Sequence, residues 1–307
     1  MPSLPEISLL INLSAGDAAY GYRTARALAE AHRGTVMETV LVLDLSVAQP
    51  SKFYDHGARY REPAYRERVT AIALAADQLL SEGWVDRVVR LEGEPARTGA
   101  LAKRYFGNRV RETHDYRGAP ITAYVAGMEA CRGRFVVRYD GDILLHQPPG
   151  GDWVEQGLAQ LSAERRIIAA SPCPAPPQQR RSGGFDDLAW FSTRCLLFDK
   201  EELFRQLPLA DGRYRLELFL RKRLGRTYPP AFETMLTRKL QRRGFMTRYL
   251  VGSAAWYLHP EDKGALFLEL LPQVLSEIRE GRYPEQQTGC ESLDLPAWQA
   301  HLKDKKS

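Results

Sequence analysis

Two aspartates separated by one glycine stand near the end of the segment RFVVRYDGDILL, where Asp140 and Asp142 flank Gly141. The β-forming run at residues 135–139 predicts a buried strand just before them. Carboxylates this close repel each other and lose hydration, which is unfavourable unless a positive group lies between them. Mg²⁺ and Mn²⁺ bind such oxygens together with substrate phosphates, so the spacing predicts a metal–nucleotide site. An Asp-Gly hairpin turn is the alternative.

The composition is that of an ordinary globular chain. It has 307 residues, 44% hydrophobic and 26% charged, enough for one large domain or two closely joined halves. No apolar run approaches the roughly 20 residues that a membrane-spanning helix needs. The four cysteines show no paired metal spacing. We therefore expect no transmembrane segment and a reducing, cytoplasmic setting.

The net charge of +5 comes from arginines spread along the chain. No aromatic–basic motif of an RNA- or DNA-binding module accompanies them, so nucleic acid is not an expected partner. Most of these arginines are expected on solvated helix faces, with a few left to contact phosphate.

The first third of the chain alternates strands and helices. The expected elements are a strand at 7–12, the helix GDAAYGYRTARALAEAHRG with Asp17 as N-cap, a strand at 38–43, the helix AYRERVTAIALAADQLLSEG and a strand at 86–91. This βαβαβ order predicts an α/β fold with a largely parallel sheet, whose ligands collect at the carboxyl ends of the strands. Asp44 and the Asp140–Asp142 pair both follow such ends.

The second half is less regular. Its expected elements are the strands RIIAA, LAWFSTRCLLF and MTRYLV, the helix PPAFETMLTRKLQRRGF, and a closing helix near 264–280 before a polar tail. Neither an internal repeat nor a linker between two domains is evident.

Four motifs in this order resemble the nucleotide-sugar glycosyltransferases of the GT-A fold, most closely family 2, over residues 5–262. The motifs are ETVLVLDLS, GAPITAYVAGMEACRGRFVVRYDGDILL, SGGFDDLAWFSTRCLLFDKEEL and FETMLTRKLQRRGF. The resemblance implies a Rossmann-like three-layer sandwich around a mostly parallel sheet. It implies a single domain at 1–262, made of a nucleotide-binding half (1–146) and an acceptor-binding half (147–262). A C-terminal helix and polar tail would follow at 263–307.

On the donor side, the resemblance implies that Mn²⁺ or Mg²⁺ bridges the diphosphate, with Asp142 as a direct ligand. Asp140 would bind the ion through water, or bind ribose and sugar hydroxyls, and Gly141 would allow close approach. His259 stands where some relatives supply a further ligand; a packed or surface histidine is the alternative.

The resemblance also assigns the nucleoside. In that family, the aspartate whose place Asp44 occupies commonly binds uracil. A UDP-sugar is therefore the expected donor. Asn12, Leu13 and Ser14, near the end of the first strand, would stack on the base or bond to it. Arg117 would reach the base or the phosphates, or else lie on the surface. The turn after Asp44 departs from the usual Asp-Asp-Gly-Ser form, so GDP and TDP donors are alternatives.

On the acceptor side, the resemblance places Glu233 where a carboxylate takes the proton of the attacking hydroxyl, as a general base must. A simple helix-start acid is the alternative. Asp186 and Asp187 are the competing acids and are expected to shape the acceptor pocket. Trp190 would pack on a sugar face or in the core. The resemblance implies transfer with inversion to a small or carrier-borne soluble acceptor, with a retaining transfer as the alternative.

Two other functions share this architecture. A sugar-1-phosphate nucleotidyltransferase needs a Gly-rich, Arg/Lys-containing loop after the first strand, which NLSAGDAAYGYR matches poorly. A catalytically silent nucleotide-sugar-binding protein would tolerate loss of the acids, whereas Asp140, Asp142 and Glu233 are present. The expectation is therefore a metal-dependent glycosyltransferase of the hexosyltransferase type.

Overall fold

The computed structural model describes residues 6–148, 153–177 and 184–305. Its strands are β1 (Ile7–Ser14), β2 (Glu38–Asp44), β3 (Arg87–Leu91), β4 (Phe135–Asp140), β5 (Leu144–His146), β6 (Ile167–Pro172), β7 (Asp186–Leu188), β8 (Cys195–Asp199), β9 (Met246–Leu250) and β10 (Trp256–Leu258). Eight of them form one sheet in the order β3-β2-β1-β4-β8-β6-β9-β7, and β5 pairs with β10 as a separate ribbon.

Parallel pairing predominates in this sheet. The β1–β2, β1–β4, β2–β3 and β6–β9 pairs are parallel, whereas β4–β8, β6–β8 and β7–β9 are antiparallel. Ser14 lies opposite Asp44, and Asn12 lies opposite Asp140. The carboxyl ends of β1, β2 and β4 therefore meet at one edge, as the alternating pattern predicted.

The helices cover both faces of the sheet. They are α1 (Gly21–Ala31), α2 (His56–Arg59), α3 (Ala64–Ser81), α4 (Pro95–Phe106), α5 (Thr122–Ala130), α6 (Trp153–Ala163), α7 (Lys200–Arg205), α8 (Gly212–Arg223), α9 (Phe232–Gln241), α10 (Ala265–Arg279) and α11 (Leu295–Asp304). None of the helices in these ranges combines the length and apolar character that a bilayer crossing requires.

The sheet separates two hydrophobic layers. On β1, Leu10 packs into one layer whereas Leu9 and Ile11 pack into the other, because successive side chains of a strand point to opposite faces. Helices α4, α5 and α9 cover the first layer, and α1, α3 and α6 cover the second. The α/β three-layer sandwich with a mostly parallel central sheet is thus confirmed.

The start of the first helix differs from the prediction. Asp17 ends a 3₁₀ turn, Ala15–Asp17, and its carboxylate accepts hydrogen bonds from the N–H and hydroxyl of Ser14. Helix α1 therefore begins later, at Gly21. The Asp17 side chain bonds to Ser14 and so closes the turn after β1. It does not cap helix α1, whose N-cap position is Tyr20.

The strand expected over residues 188–198 is split in two. Strand β7 ends at Leu188 and β8 begins at Cys195. Between them, the N–H of Phe191 donates to the Thr237 hydroxyl instead of to a strand neighbour. This irregular segment hydrogen-bonds to Thr237 and Glu233 of α9.

A third hydrophobic cluster attaches the C-terminal segment to the β5–β10 ribbon. Phe267 of α10 and Trp298 of α11 pack with Leu144 and Trp256 of the ribbon. The tail expected to be polar therefore contains a helix, α11, whose Trp298 is fully buried.

Glu277 provides the charged contacts of this cluster. Its side chain, in α10, accepts hydrogen bonds from Arg282 Nε (2.9 Å) and Nη2 (3.0 Å) and pairs with Lys305 and His301. The hydrogen bonds from Arg282, with those from Lys305 and His301, outweigh burial and lower the pKa of Glu277 to about 2.

We expect Glu277→Gln to lower the free energy of unfolding by about 1–2 kcal/mol at pH 7, because the amide loses charge-assisted hydrogen bonds. An acid with a depressed pKa stabilises the fold above its unfolded value of 4.5 and loses this contribution as the pH falls towards 2. Urea unfolding at several pH values should show that the difference in unfolding free energy between the parent and Glu277→Gln shrinks as the pH falls from 4.5 towards 2. Glu269→Gln, exposed on the same helix, is the control; a difference independent of pH would contradict the assignment.

Candidate active site

A cleft of about 340 Å³ opens at the carboxyl edge of β1, β2 and β4. It brings together every donor-side residue predicted from the sequence except His259. These lining residues are Asn12, Leu13, Ser14, Asp44, Arg117, Asp140, Gly141 and Asp142. The structure therefore collects, in one cleft, groups from three strands and from the loop before α5.

Asp140, at the end of β4, is compensated by a neighbour on its own strand. Its Oδ1 accepts a hydrogen bond from Arg138 Nη2 at 2.6 Å. The Arg138 side chain is 3% exposed, and its guanidinium carbon lies 4.0 Å from the centre of the Tyr124 ring. Burial raises the pKa of Asp140 to about 6, Arg138 opposes this rise, and Asp142 adds to it.

The negative charge of Asp142 is balanced by two residues that are more than 100 positions away in the sequence. Its Oδ2 pairs with Lys263 Nζ and lies 3.2 Å from His259 Nε2. Burial opposes ionisation of Asp142, but the hydrogen bond from His259 and the charge of Lys263 outweigh it and lower its pKa to about 2. Sequence analysis missed Lys263, although it follows His259 by only four positions.

These side chains fit a divalent cation whose shell is completed by substrate. In the described ranges, no three His, Cys, Asp or Glu side chains converge to hold a metal unaided. Asp142 Oδ1, however, is buried without a hydrogen-bond partner there, and the His259 imidazole lies beside the same carboxylate. Mg²⁺ commonly takes one or two carboxylates and then phosphate oxygens and water. The donor set therefore suits a cation brought together with a diphosphate.

The turn after β1 forms the floor of the cleft. Asp17 accepts from the Ser14 N–H at 2.7 Å and from the Tyr20 hydroxyl, which fixes both side chains. Burial raises the pKa of Asp17 and of Tyr20. Since Asp17 also lies near Asp142, the cleft holds a third acid close to the predicted metal ligands.

Asp44, at the end of β2, faces the opposite end of the cleft. Its Oδ1 accepts from Ser46 N (3.0 Å) and Oγ (2.5 Å), and its Oδ2 lies 3.4 Å from His114 Nε2. A carboxylate has about four acceptor positions, so a position on Oδ2 is left for a ligand. His114 was missed because it lies 70 residues from Asp44 in an irregular loop.

Two further observations point to a polar, anionic ligand. Both amide atoms of Asn12 are buried without a hydrogen-bond partner in the described residues, so they offer a donor and an acceptor to the cleft. Three cationic side chains, Arg59, Arg117 and Lys263, line the same cleft. Arg117 is held in place by Asp115, 3.1 Å from its Nη2.

A second cleft, of about 460 Å³, contains the acceptor-side residues. Glu233, Asp186 and Trp190 line it together with Arg194, Glu291 and the rings of Tyr249 and Tyr257. Trp190 is 45% exposed and therefore not part of the core. Asp187 is not among the lining residues: it pairs with Arg248 Nε at 2.7 Å, since neighbouring side chains of β7 point to opposite faces.

Glu233 lines the second cleft, and its charge acts on Asp140 and Arg117 of the first. Its Oε1 accepts from Thr193 N (2.7 Å) and Thr193 Oγ1 (2.9 Å), while Oε2 has no hydrogen bond in the described residues. It contributes to raising the pKa of Asp140, after burial and Asp142, which places it near the donor cleft too. Glu233 does not cap α9, because its hydrogen bonds go to Thr193.

No protein-family model and no curated protein matches the chain. Similar solved structures include the galactosyltransferase LgtC in complex with donor and acceptor sugar analogues, at 10% identity and a TM-score of 0.41, over 88% of this chain and 95% of that one. A mannosyltransferase from Pyrobaculum calidifontis in complex with GDP-Man and Mn²⁺ is 15% identical, with a TM-score of 0.39, over 80% of this chain and 55% of that one.

Glucosyl-3-phosphoglycerate synthase from Mycobacterium tuberculosis, in complex with phosphoglyceric acid, is 15% identical, with a TM-score of 0.35, over 90% of this chain and 80% of that one. These names agree with the resemblance to glycosyltransferases that the sequence motifs predicted. All three TM-scores are below 0.5.

Gly141 offers a test of how tightly the donor cleft is built. A Cβ at this position would lie 2.1 Å from Leu13 Cδ2 and 2.8 Å from the Asn12 carbonyl oxygen. We expect Gly141→Ala to lower the melting temperature and to weaken nucleotide binding, because β1 must shift to relieve the clash. In Gly99→Ala, a Cβ on α4 would meet nothing within 4 Å, so stability should rise by about 1 kcal/mol. If Gly141→Ala binds nucleotide with the affinity of the parent, the close packing of Gly141 against β1 does not shape the donor cleft, and the expectation is wrong.

Proposed function

We propose that this protein transfers a sugar from a nucleoside-diphosphate sugar to a hydroxyl of an acceptor. The observation that carries the proposal is that Glu233, on the wall of one cleft, interacts electrostatically with Asp140 in the other. One cleft has the cations and buried polar groups that a nucleoside diphosphate requires, and the other has aromatic and carboxylate side chains suited to a sugar or polyol. A binding protein would need neither the second cleft nor a free carboxylate oxygen on Glu233.

In the proposed donor complex, the nucleoside lies at the Asp44 end of the cleft. The free position on Asp44 Oδ2 would accept the imide N–H of uracil, which supports a UDP-sugar as donor. Asn12, with its unpartnered amide, would bond to the base or the ribose. Arg59 and Arg117 would then face the phosphates and balance their charge.

The diphosphate would lie between these arginines and the acids at the end of β4. Asp142 and His259 are the side chains that would hold Mn²⁺ or Mg²⁺, with Asp140 bound through water or to ribose and sugar hydroxyls. Such a cation takes up charge on the diphosphate as the sugar–phosphate bond breaks. Lys263 adds a fixed positive charge beside the leaving group.

Glu233 would act as the general base. The two hydrogen bonds from Thr193 fix Oε1 and leave Oε2 to accept the proton of the acceptor hydroxyl. Attack from the side of the second cleft, opposite the leaving diphosphate, is a direct displacement and would invert the anomeric centre. Asp186 and Trp190 would position the acceptor, the latter through its exposed ring.

The proposed setting of this reaction is the cytoplasm. The four cysteines are all free, in keeping with the reducing cytoplasm expected from the sequence.

We expect Asp142→Asn to abolish the gain in UDP affinity that Mn²⁺ gives, because a neutral amide oxygen is a poorer ligand than a carboxylate. Titration calorimetry of UDP with and without Mn²⁺ measures this, and loss of a ligand should weaken metal-dependent binding at least about tenfold. Asp187→Asn is the control, since that acid pairs with Arg248 outside both clefts. The metal assignment fails if Asp142→Asn binds as the parent does.

We expect Glu233→Gln to keep the affinity for UDP while transfer slows by roughly 100- to 10,000-fold, because the amide retains the bonds to Thr193 but cannot accept the proton. Initial rates of sugar transfer, with UDP titration in parallel, give both quantities. Asp186→Asn, in the same cleft, is the matched variant and should alter acceptor KM more than kcat. If Asp186→Asn shows the larger loss of kcat, the base is Asp186.

A further inference from the structure

Helix α8 carries a row of exposed apolar side chains that nothing in the proposed function uses. Leu216, Phe219, Leu220 and Leu224 are 62%, 56%, 47% and 61% exposed. Their spacing puts them on one side of the helix axis, while Tyr214 and Leu218, on the opposite side, are buried in the core. Large apolar groups exposed together mark an interaction surface far more often than isolated ones do.

Cationic side chains without acidic partners lie on the same face, at Arg213 and Arg223, and just after the helix, at Arg226. Arg213, Arg223 and Arg226 are exposed, and none of them forms an ion pair in the described part of the chain. Arg223 and Arg213 fall among the exposed apolar residues at helical spacing. The acid of this helix, Glu217, lies beside the face and is held by Arg221 and Arg238. The face is therefore apolar and positive, with no free acid.

We propose that this face of α8 docks on the surface of an anionic phospholipid bilayer. A helix with apolar side chains and flanking arginines lies in the plane of the interface, where Leu and Phe enter the acyl region and the guanidinium groups reach lipid phosphates. Arginine stems can cover apolar surface while their heads stay at the phosphate level, so Arg213 and Arg223 do not oppose insertion.

Charge complementarity favours a bilayer over a second copy of the chain. In a symmetric dimer the same face meets itself, so the unpaired arginines of both copies would lie close together. No free carboxylate is available on the face to compensate them, and like charges at an interface are costly.

Docking would orient the proposed active site. Helix α8 is tied to α9 by Glu217–Arg238 and by an ion pair between Asp211 and Lys239. Helix α9 carries Glu233 in its first turn. A docked α8 would thus hold the acceptor cleft in one orientation to the bilayer. The docking itself does not depend on the catalytic assignment.

Co-sedimentation of the full chain with vesicles tests the proposal. We expect at least about tenfold stronger partitioning to phosphatidylcholine vesicles containing phosphatidylglycerol than to phosphatidylcholine alone, and weaker binding as salt is raised. Equal partitioning to the two kinds of vesicle, or none to either, would overturn the proposal.

Variants locate the surface. The pair Phe219→Ser and Leu220→Ser should reduce partitioning about tenfold or more, and so should the pair Arg223→Gln and Arg226→Gln. The matched control, Leu74→Ser with Leu80→Ser, removes two exposed leucines from α3 and should leave binding unchanged. The melting temperature and circular dichroism spectrum of each variant report that the fold is intact, separately from vesicle binding and from the proposed donor.

Light scattering of the same proteins completes the test. A dimer that disappears in the Phe219→Ser, Leu220→Ser pair, without vesicle binding by the parent, would assign the face to self-association and overturn membrane docking. Partitioning that the Leu74→Ser, Leu80→Ser control reduces equally would show non-specific adsorption and would overturn it too.

Discussion

The structure depends on compensating two neighbouring carboxylates at the end of β4. Asp142 is 7% exposed, and the side chain of Asp140, two positions before it, is 25% exposed, so both have lost much of their hydration and each needs a positive partner. Arg138 supplies one from the same strand, and Lys263 with His259 supplies the other from beyond β10. The two acids therefore have different surroundings: one is tied to the sheet, the other to the C-terminal part of the chain.

The small β5–β10 ribbon explains how that second partner arrives. Strand β5 begins two residues after Asp142, and Leu258 of β10 pairs with Leu144 of β5. His259, the next residue, is therefore held beside Asp142 by the pairing, and Lys263 follows in the same loop. The ribbon is itself packed on α10 and α11 through the third hydrophobic cluster. The C-terminal helices thus support the charge balance of the donor cleft, not only its outer surface.

Local patterns predicted most strands and helices and placed Asp44 and Asp140 at strand ends, whereas Glu233 was singled out only through the resemblance to glycosyltransferases. The pairing of Arg138 with Asp140 was also within reach, since side chains two apart on a strand share a face. The same rule separates Asp186 from Asp187. Lys263 was not within reach: its partner Asp142 is 121 positions away, and the contact exists only because an antiparallel ribbon closes between them.

The two clefts are linked, because one short C-terminal segment lines the second and hydrogen-bonds to His259, the partner of Asp142 in the first. The His259 N–H donates to the Glu291 carbonyl at 3.0 Å, and the Leu293 N–H donates to the His259 carbonyl at 3.1 Å. The Glu291 side chain meanwhile accepts from Arg194 Nη1 at 2.5 Å on the wall of the second cleft. The backbone of His259 and the backbone that carries Glu291 are therefore hydrogen-bonded to each other. The segment after α10 thus belongs to the proposed site as much as the strand ends do.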